Sequence, residues 1–266
     1  MATSTSSPVH RLVDDPVTLG RLLVPVAIVV GWELLTLLLG ADLLPGPVQT
    51  LGAIQAGVKS GWVVPNLVNT LLTIAMGFAI AAVAGFVVGV ALGSSETGYQ
   101  FFEPFVLNTY AIPKIVLFPI FLFIFKLGMD QKVAFGAFHG FFPMVIITMT
   151  AVRELPDIYL DVGRSLGLSR LQTARHIVLP YIIVHLVVAL RFAFSLTFLG
   201  VILAELFAAK SGIGLYLRNA MSVFNTQRIM AIVTILMVVA FLGNLAFYAV
   251  QLYLEDRWNL SAEKVV

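Results

Sequence analysis

Between Lys59 and Glu96 the chain runs without one charged side chain. A helix needs about 20 mostly apolar residues to cross a bilayer. Backbone placed in hydrocarbon must satisfy its own hydrogen bonds, so only helices and closed barrels span. The composition agrees with a chain whose solvent is lipid: 59% of residues are hydrophobic and 11% charged, with a mean hydropathy of +0.98. A soluble domain carries roughly 45–50% apolar and 25% charged residues. A secreted soluble enzyme and a disordered chain are therefore excluded. A net charge of +2 provides no electrostatic footprint for nucleic acid. With no cysteine, disulfides, thiolate catalysis and cysteine-based metal sites are excluded. His10, His139, His176 and His185 are too scattered for a metal cluster. Asp14 and Asp15 precede the first apolar run and Leu44-Pro45-Gly46 follows it, which is unlike a cleaved signal peptide.

Reading between charges predicts an all-α integral membrane protein of about six spans. They fall at about 22–40 (interrupted by Glu33), 68–93, two within 100–150, 179–207 and 229–254. Residues 1–19 are expected to be a flexible N-terminal segment, 20–258 the transmembrane domain and 259–266 a C-terminal tail. In the 100–150 region, Pro104, Pro113 and Pro119 punctuate the run and Lys114 divides it. The reading is a kinked helix over about 102–125, a loop from Lys126 to Lys132, and a fourth span over 133–151. A span starting near 110 after a loose loop is the alternative. Counting lysines and arginines barely orients the chain. The density of Arg153, Arg164, Arg170 and Arg175 next to two spans favours a cytoplasmic segment there and both termini cytoplasmic. In the second span Gly77, Ala81, Gly85, Gly89 and Gly93 recur every four residues. They form a small-residue ridge for close helix packing.

The longest polar interruption, Glu154 to Pro180, is patterned rather than loose. Pro156 suits a helix start, and Asp157 and Asp161 lie towards its positive end. Ile158, Val162 and Leu166 recur every four residues as an apolar stripe. Gly167 is a natural helix stop, and Ser169 with Gln172 forms a capping box for a second short helix. The prediction is a helix–glycine–helix elbow on the membrane surface with its basic residues facing out. Such an elbow serves either docking into a partner's groove or a surface connector.

The spacing Asp161-Val162-Gly163, three residues, Gly167, nine residues, Ile177-x-Leu179-Pro180 resembles the EAA motif of the membrane subunits of binding-protein-dependent ABC importers. It departs from that motif where Asp-Val-Gly stands for Glu-Ala-Ala. Trp32-Glu33, Leu43 to Pro47, Ala111 to Lys114, Leu190-Arg191, Glu205 with Gly212-Ile213-Gly214, and Trp258 resemble the permeases of nitrate, sulfonate and taurine type importers. The resemblance covers roughly residues 20 to 260. It implies a type I importer permease in which the elbow between spans 4 and 5 is a coupling helix. Two copies of the permease pair, each on an ATPase subunit that holds ATP and Mg, and an extracytoplasmic binding protein delivers solute. It implies a bacterial cytoplasmic membrane location and coupling roles for Asp157, Asp161, Arg164, Ser165, Leu166, Gly167, Ser169, Arg170 and Pro180. The chain itself has no GxxxxGK[ST] phosphate loop, so no cofactor and no catalytic residue is expected in it.

Charges inside spans are functional candidates because burial in lipid is costly. Lys114, Arg191 and Glu205 are the candidates for the substrate pathway, Lys114 suiting an anionic solute. Glu205 is equally readable as a gate, a binding-protein contact or a helix-end carboxylate. Glu33 reads as a paired or interface-seeking group, and His139 and His185 as core histidines. A proton-coupled secondary transporter is the alternative function. It calls for converging acidic groups and related halves, and neither is visible. The solute itself is not legible in the chain.

Overall fold

The computed structural model describes residues 16–257, and every regular element among them is helical. In chain order these are α1 (Pro16–Leu39), α2 (Pro47–Lys59), α3 (Val63–Gly93), α4 (Glu96–Ala111) and, after a short 3-10 turn at Lys114–Leu117, α5 (Phe118–Phe125). Then follow α6 (Met129–Arg153), α7 (Asp157–Ser165), α8 (Arg170–Thr173), a π-helical turn at Ala174–Val178, α9 (Leu179–Phe207), α10 (Ile213–Ser222) and α11 (Thr226–Arg257). The helices α3, α6, α11 and the run Arg170–Phe207 are long and apolar enough to cross a bilayer. The α4–α5 pair passes the same test as one span broken by 85°. The described apolar part of α1, Leu23–Leu39, is shorter. The proposed 1–19 segment and 259–266 tail lie largely outside the described residues, as does Trp258, and α1 is already helical at Pro16.

The centre of the bundle is α6, the most deeply buried of the long apolar helices, whereas α3 and α11 leave most of their surface exposed. Lipid supplies no hydrophobic drive between helices, so close van der Waals packing carries the contact. The small-residue ridge of α3 lies against α6. A Cβ on Gly85 would sit 2.6 Å from Met144 Cβ, one on Gly89 2.7 Å from Thr148 Cβ, and one on Gly93 2.6 Å from the Met149 carbonyl oxygen. On its other side α6 turns Gly136 and Gly140 towards Thr197 and Ala193 of α9. In return, a Cβ on Gly200 of α9 would meet the His139 ring at 2.8 Å. His139 is buried and its Nδ1 pairs with the Phe135 carbonyl at 2.9 Å, as a core histidine does.

Three sequence expectations change. The third span starts at Glu96 rather than near 102, and it breaks rather than kinks. Ile112, before Pro113, is extended at φ −63, ψ 131, the conformation a following proline imposes. The loop after α5 ends before Met129, so Lys132 lies inside α6 rather than in an exposed connection. The short helices α2 and α10 were not foreseen, because 13 and 10 residues are too few to register as spans. The Leu43–Pro47 turn folds back on α1, where the Trp32 indole donates to the Pro45 carbonyl at 3.0 Å.

Candidate functional site

Two constructions stand out, one at each end of α9. The first is the elbow. Helix α7 opens after Pro156 and closes at Gly167, whose φ of +68 is the left-handed conformation glycine adopts without strain. Leu168 N donates to Gly163 O and Gly167 N to Arg164 O, each at 3.0 Å, the double closure of a Schellman motif. Ser169 then caps α8. Its Oγ accepts from Gln172 N at 3.4 Å, and Gln172 Oε1 accepts from Ser169 N at 2.8 Å. Gly163, the glycine standing for alanine in the motif, has its own reason. A Cβ there would meet Ile177 Cδ1 at 2.8 Å, so the two arms of the elbow touch at this point. The base is anchored by buried Ala151, Val152 and Ile182, with Val178 and Tyr181 packed on them, and Leu155 beside it is buried too.

The elbow's two faces differ. Ile158, Val162 and Leu166 are 64%, 49% and 70% exposed, so the apolar stripe is not spent on packing within the chain. Asp161 pairs with Arg164 at 3.0 Å on the surface. Asp157, Arg164 and Arg170 border a cavity of about 730 Å³ between the elbow and the ends of α3 and α6. Both arginines are exposed, facing out as the sequence reading had them, along the rim of this recess. Ser165 and Pro180 lie at the end of α7 and the start of α9.

The second construction, at the other end of α9, escaped the sequence reading. Lys132 of α6 and Glu205 of α9 form an ion pair at 2.9 Å with side chains only 2% and 0% exposed. A buried pair is tolerable only when its remaining hydrogen-bonding capacity is filled, and here it is. Lys132 Nζ also donates to Asn69 Oδ1 at 2.9 Å and to the Ser211 carbonyl at 3.1 Å. Glu205 accepts from the Thr70 hydroxyl at 2.9 Å and from Gly214 N at 2.9 Å. Thr70 Oγ1 in turn accepts from Ile213 N, and Asn66 Oδ1 from Gly212 N. This clamp ties α3, α6, α9 and the start of α10 together. Gly212, at φ +112, lies so close over the Glu205 carboxylate that a Cβ would collide with it. That contact explains the Glu205…Gly212-Ile213-Gly214 pattern. Glu205 is thus fully enclosed by this subunit, where a pathway residue needs an open face.

The other candidates are placed separately. Lys114 sits half-buried at the break between α4 and α5. It donates to the Tyr110 carbonyl at 2.9 Å and stands over the Tyr110 and Phe142 rings at 4.2 and 5.2 Å. Arg191 lies on the α9–α11 seam, donating to Asn244 Oδ1 at 3.3 Å beneath the Tyr248 ring. Glu33 is exposed beside Gly46. The three pathway candidates thus occupy three different places. Among the described residues no group of three histidines and acids could hold a metal.

Residues 81–260 match the family model of the binding-protein-dependent transport system inner membrane component. The chain belongs to this family. It is a multi-pass permease subunit of an ABC importer of type I architecture. Among its relatives, the putative aliphatic sulfonates transport permease protein SsuC of Escherichia coli is 29% identical, covering 88% of this chain and 90% of that relative. The nitrate import permease protein NrtB of Synechococcus elongatus is 27% identical over 71% of each chain. The taurine transport system permease protein TauC of Escherichia coli is 26% identical over 88% of each. The fold is similar to a chain of the MetNI methionine ABC transporter in an inward-facing conformation. That match has a TM-score of 0.65 at 18% identity and covers 72% of this chain and 95% of that one. The permease family works with an ATPase and a binding protein, and the proton-coupled alternative is set aside.

Proposed function

We propose that this chain forms, as a homodimer, the pathway of an importer for a small anionic solute of the nitrate, sulfonate or taurine kind. Two copies of a separate ATPase holding ATP and Mg drive it, and an extracytoplasmic binding protein delivers the solute. In this reading the chain lies in a bacterial cytoplasmic membrane with both termini and the elbow on the cytoplasmic side. The names of the relatives support the solute class. The elbow supports the coupling role, and one observation carries it: a stiff, capped, glycine-bent helix pair exposes the stripe Ile158, Val162 and Leu166. In lipid-poor surroundings such a stripe costs free energy until a partner's groove covers it.

In the same reading Asp157, Asp161, Arg164, Ser165, Ser169, Arg170 and Pro180 hold the elbow's shape or frame its contacts. Lys114 and Arg191 are cations near the pathway. Gly167 sets the bend. A side chain at its positive φ costs roughly 1–2 kcal/mol, and relief of that strain rotates one arm against the other. The variant Gly167→Val is expected to insert into the membrane at normal levels, to lose most of the co-purifying ATPase and to abolish uptake. Undiminished uptake by this variant refutes the coupling role.

A further inference from the structure

The cavity behind the elbow has a chemistry of its own. Its volume of about 730 Å³ lies within the roughly 300–1,000 Å³ range of small-ligand sites. It opens where the long apolar helices α3 and α6 end, beside Ser94 and Arg153. Three arginines line it, Arg153 from the end of α6, Arg164 from α7 and Arg170 from α8, and all three are exposed to solvent. Arg153 also pairs with Glu96 and Arg164 with Asp161. Each guanidinium has five N–H donors, so one ion pair leaves donors over. Arg170 has no side-chain partner among the described residues. Asp157 adds a lone carboxylate, and Leu160, Leu168 and Val178 supply an apolar wall.

We infer that this recess binds the headgroup of a membrane phospholipid. Its phosphate would be held by the arginines, its headgroup donor by Asp157, and the start of its acyl chains by the apolar wall. Planar guanidinium forks match phosphate geometry, and basic recesses between spans are where lipid headgroups lodge. The cavity-lining residues Asp157, Leu160 and Arg164 are on a different face of α7 from Ile158, Val162 and Leu166. Lipid and ATPase can therefore occupy the elbow together.

Native mass spectrometry on the purified permease–ATPase transporter tests this, with phosphatidylglycerol and phosphatidylcholine as probes. One phosphatidylglycerol per permease chain is expected to survive, in preference to phosphatidylcholine, whose headgroup lacks a hydrogen-bond donor. At roughly a fivefold loss per arginine removed, Arg164→Gln with Arg170→Gln weakens retention about 25-fold. Ala174→Trp keeps every charge, fills the recess from an exposed position and also loses the lipid. Equal retention by the double arginine variant, or equal retention of the two lipids, overturns the inference. So does displacement by millimolar inorganic phosphate, which would make the site one for free anions. Binding seen only in the permease stripped of its ATPase also overturns it, since the recess would then belong to the ATPase socket. The ATPase co-purifies in the same sample, so loss of lipid with the ATPase retained leaves the coupling role standing.

Discussion

Replacing Glu205 with leucine removes the acceptor at the centre of the interior clamp while keeping the site filled. Lys132 then remains enclosed with only the Asn69 amide oxygen and the Ser211 carbonyl as partners. The Gly214 N–H loses its acceptor, while the Thr70 hydroxyl keeps the Asn66 carbonyl at 3.1 Å. Removing one member of a buried ion pair costs about 3–5 kcal/mol, and the stranded donor adds about 1–3 kcal/mol unless it relaxes. The expected loss for Glu205→Leu is therefore at least about 3 kcal/mol. Lys132→Met costs less, because Glu205 keeps Thr70 and Gly214 as donors. The double variant removes both charges, and apolar replacement of a buried pair is often neutral. It is expected to be more stable than Glu205→Leu alone. The measurement is detergent-driven unfolding of the purified protein followed by tryptophan fluorescence. Trp62 is the natural reporter, since its carbonyl accepts from Asn66, the residue that holds Gly212. Single variants within about 1 kcal/mol of wild type, or a double variant whose loss equals the sum of the singles, would refute the clamp as a coupled unit.

The remaining expectations are simpler. Gly89→Leu drives a side chain into Thr148 and to within 2.9 Å of the Val145 carbonyl oxygen. Overpacking of this kind costs roughly 1–3 kcal/mol, read as a lower unfolding midpoint, whereas Gly31→Leu, on α1 with no atom within 4 Å, should change little. Lys114→Ala should weaken uptake of an anionic solute about tenfold, the worth of one charge-assisted hydrogen bond at about 1.5 kcal/mol. Lys114→Arg should restore most of it, and unchanged affinity and rate remove Lys114 from the pathway.

The elbow was legible in the sequence because every signal that builds it is local. The Ser169–Gln172 capping box spans three residues, the Gly167 stop follows its helix directly, and the stripe repeats every four. The ridge on α3 was legible for the same reason, as its period belongs to one helix. The clamp was not, because Lys132 and Glu205 are 73 positions apart and a lysine between two apolar runs is ordinarily the mark of a loop. Only the Glu205…Gly212-Ile213-Gly214 pattern touched it, and that was readable as a gate, a binding-protein contact or a helix-end carboxylate, with no cation named. The broken third span was half legible. Pro113 announced a disturbance, while the 85° angle depends on how Phe118 and Phe121 pack on Phe135 of α6.

The two constructions are joined by one continuous element. Helical structure runs unbroken from Arg170 in the elbow to Phe207, two residues past Glu205, over 38 residues, about 57 Å at the usual rise. Its sole irregularity among the described residues is the π turn at Ala174–Val178, next to the elbow. There the wider helix makes room where Ile177 meets Gly163. Such turns are frequent at functional sites and are places where a helix can change register. Beyond it, Ala189, Ala193, Thr197 and Val201 are fully buried, along the face that meets Gly140 and Gly136 of α6. Displacement of the second elbow arm therefore has two physical outlets. The π turn can absorb it, or the helix can carry it as a rigid body to Glu205. The clamp resists the second outlet, since sliding α9 along α6 separates Glu205 from Lys132. The pairing that stabilises the fold at one end is thus mechanically opposed to movement imposed at the other, and the π turn lies between them.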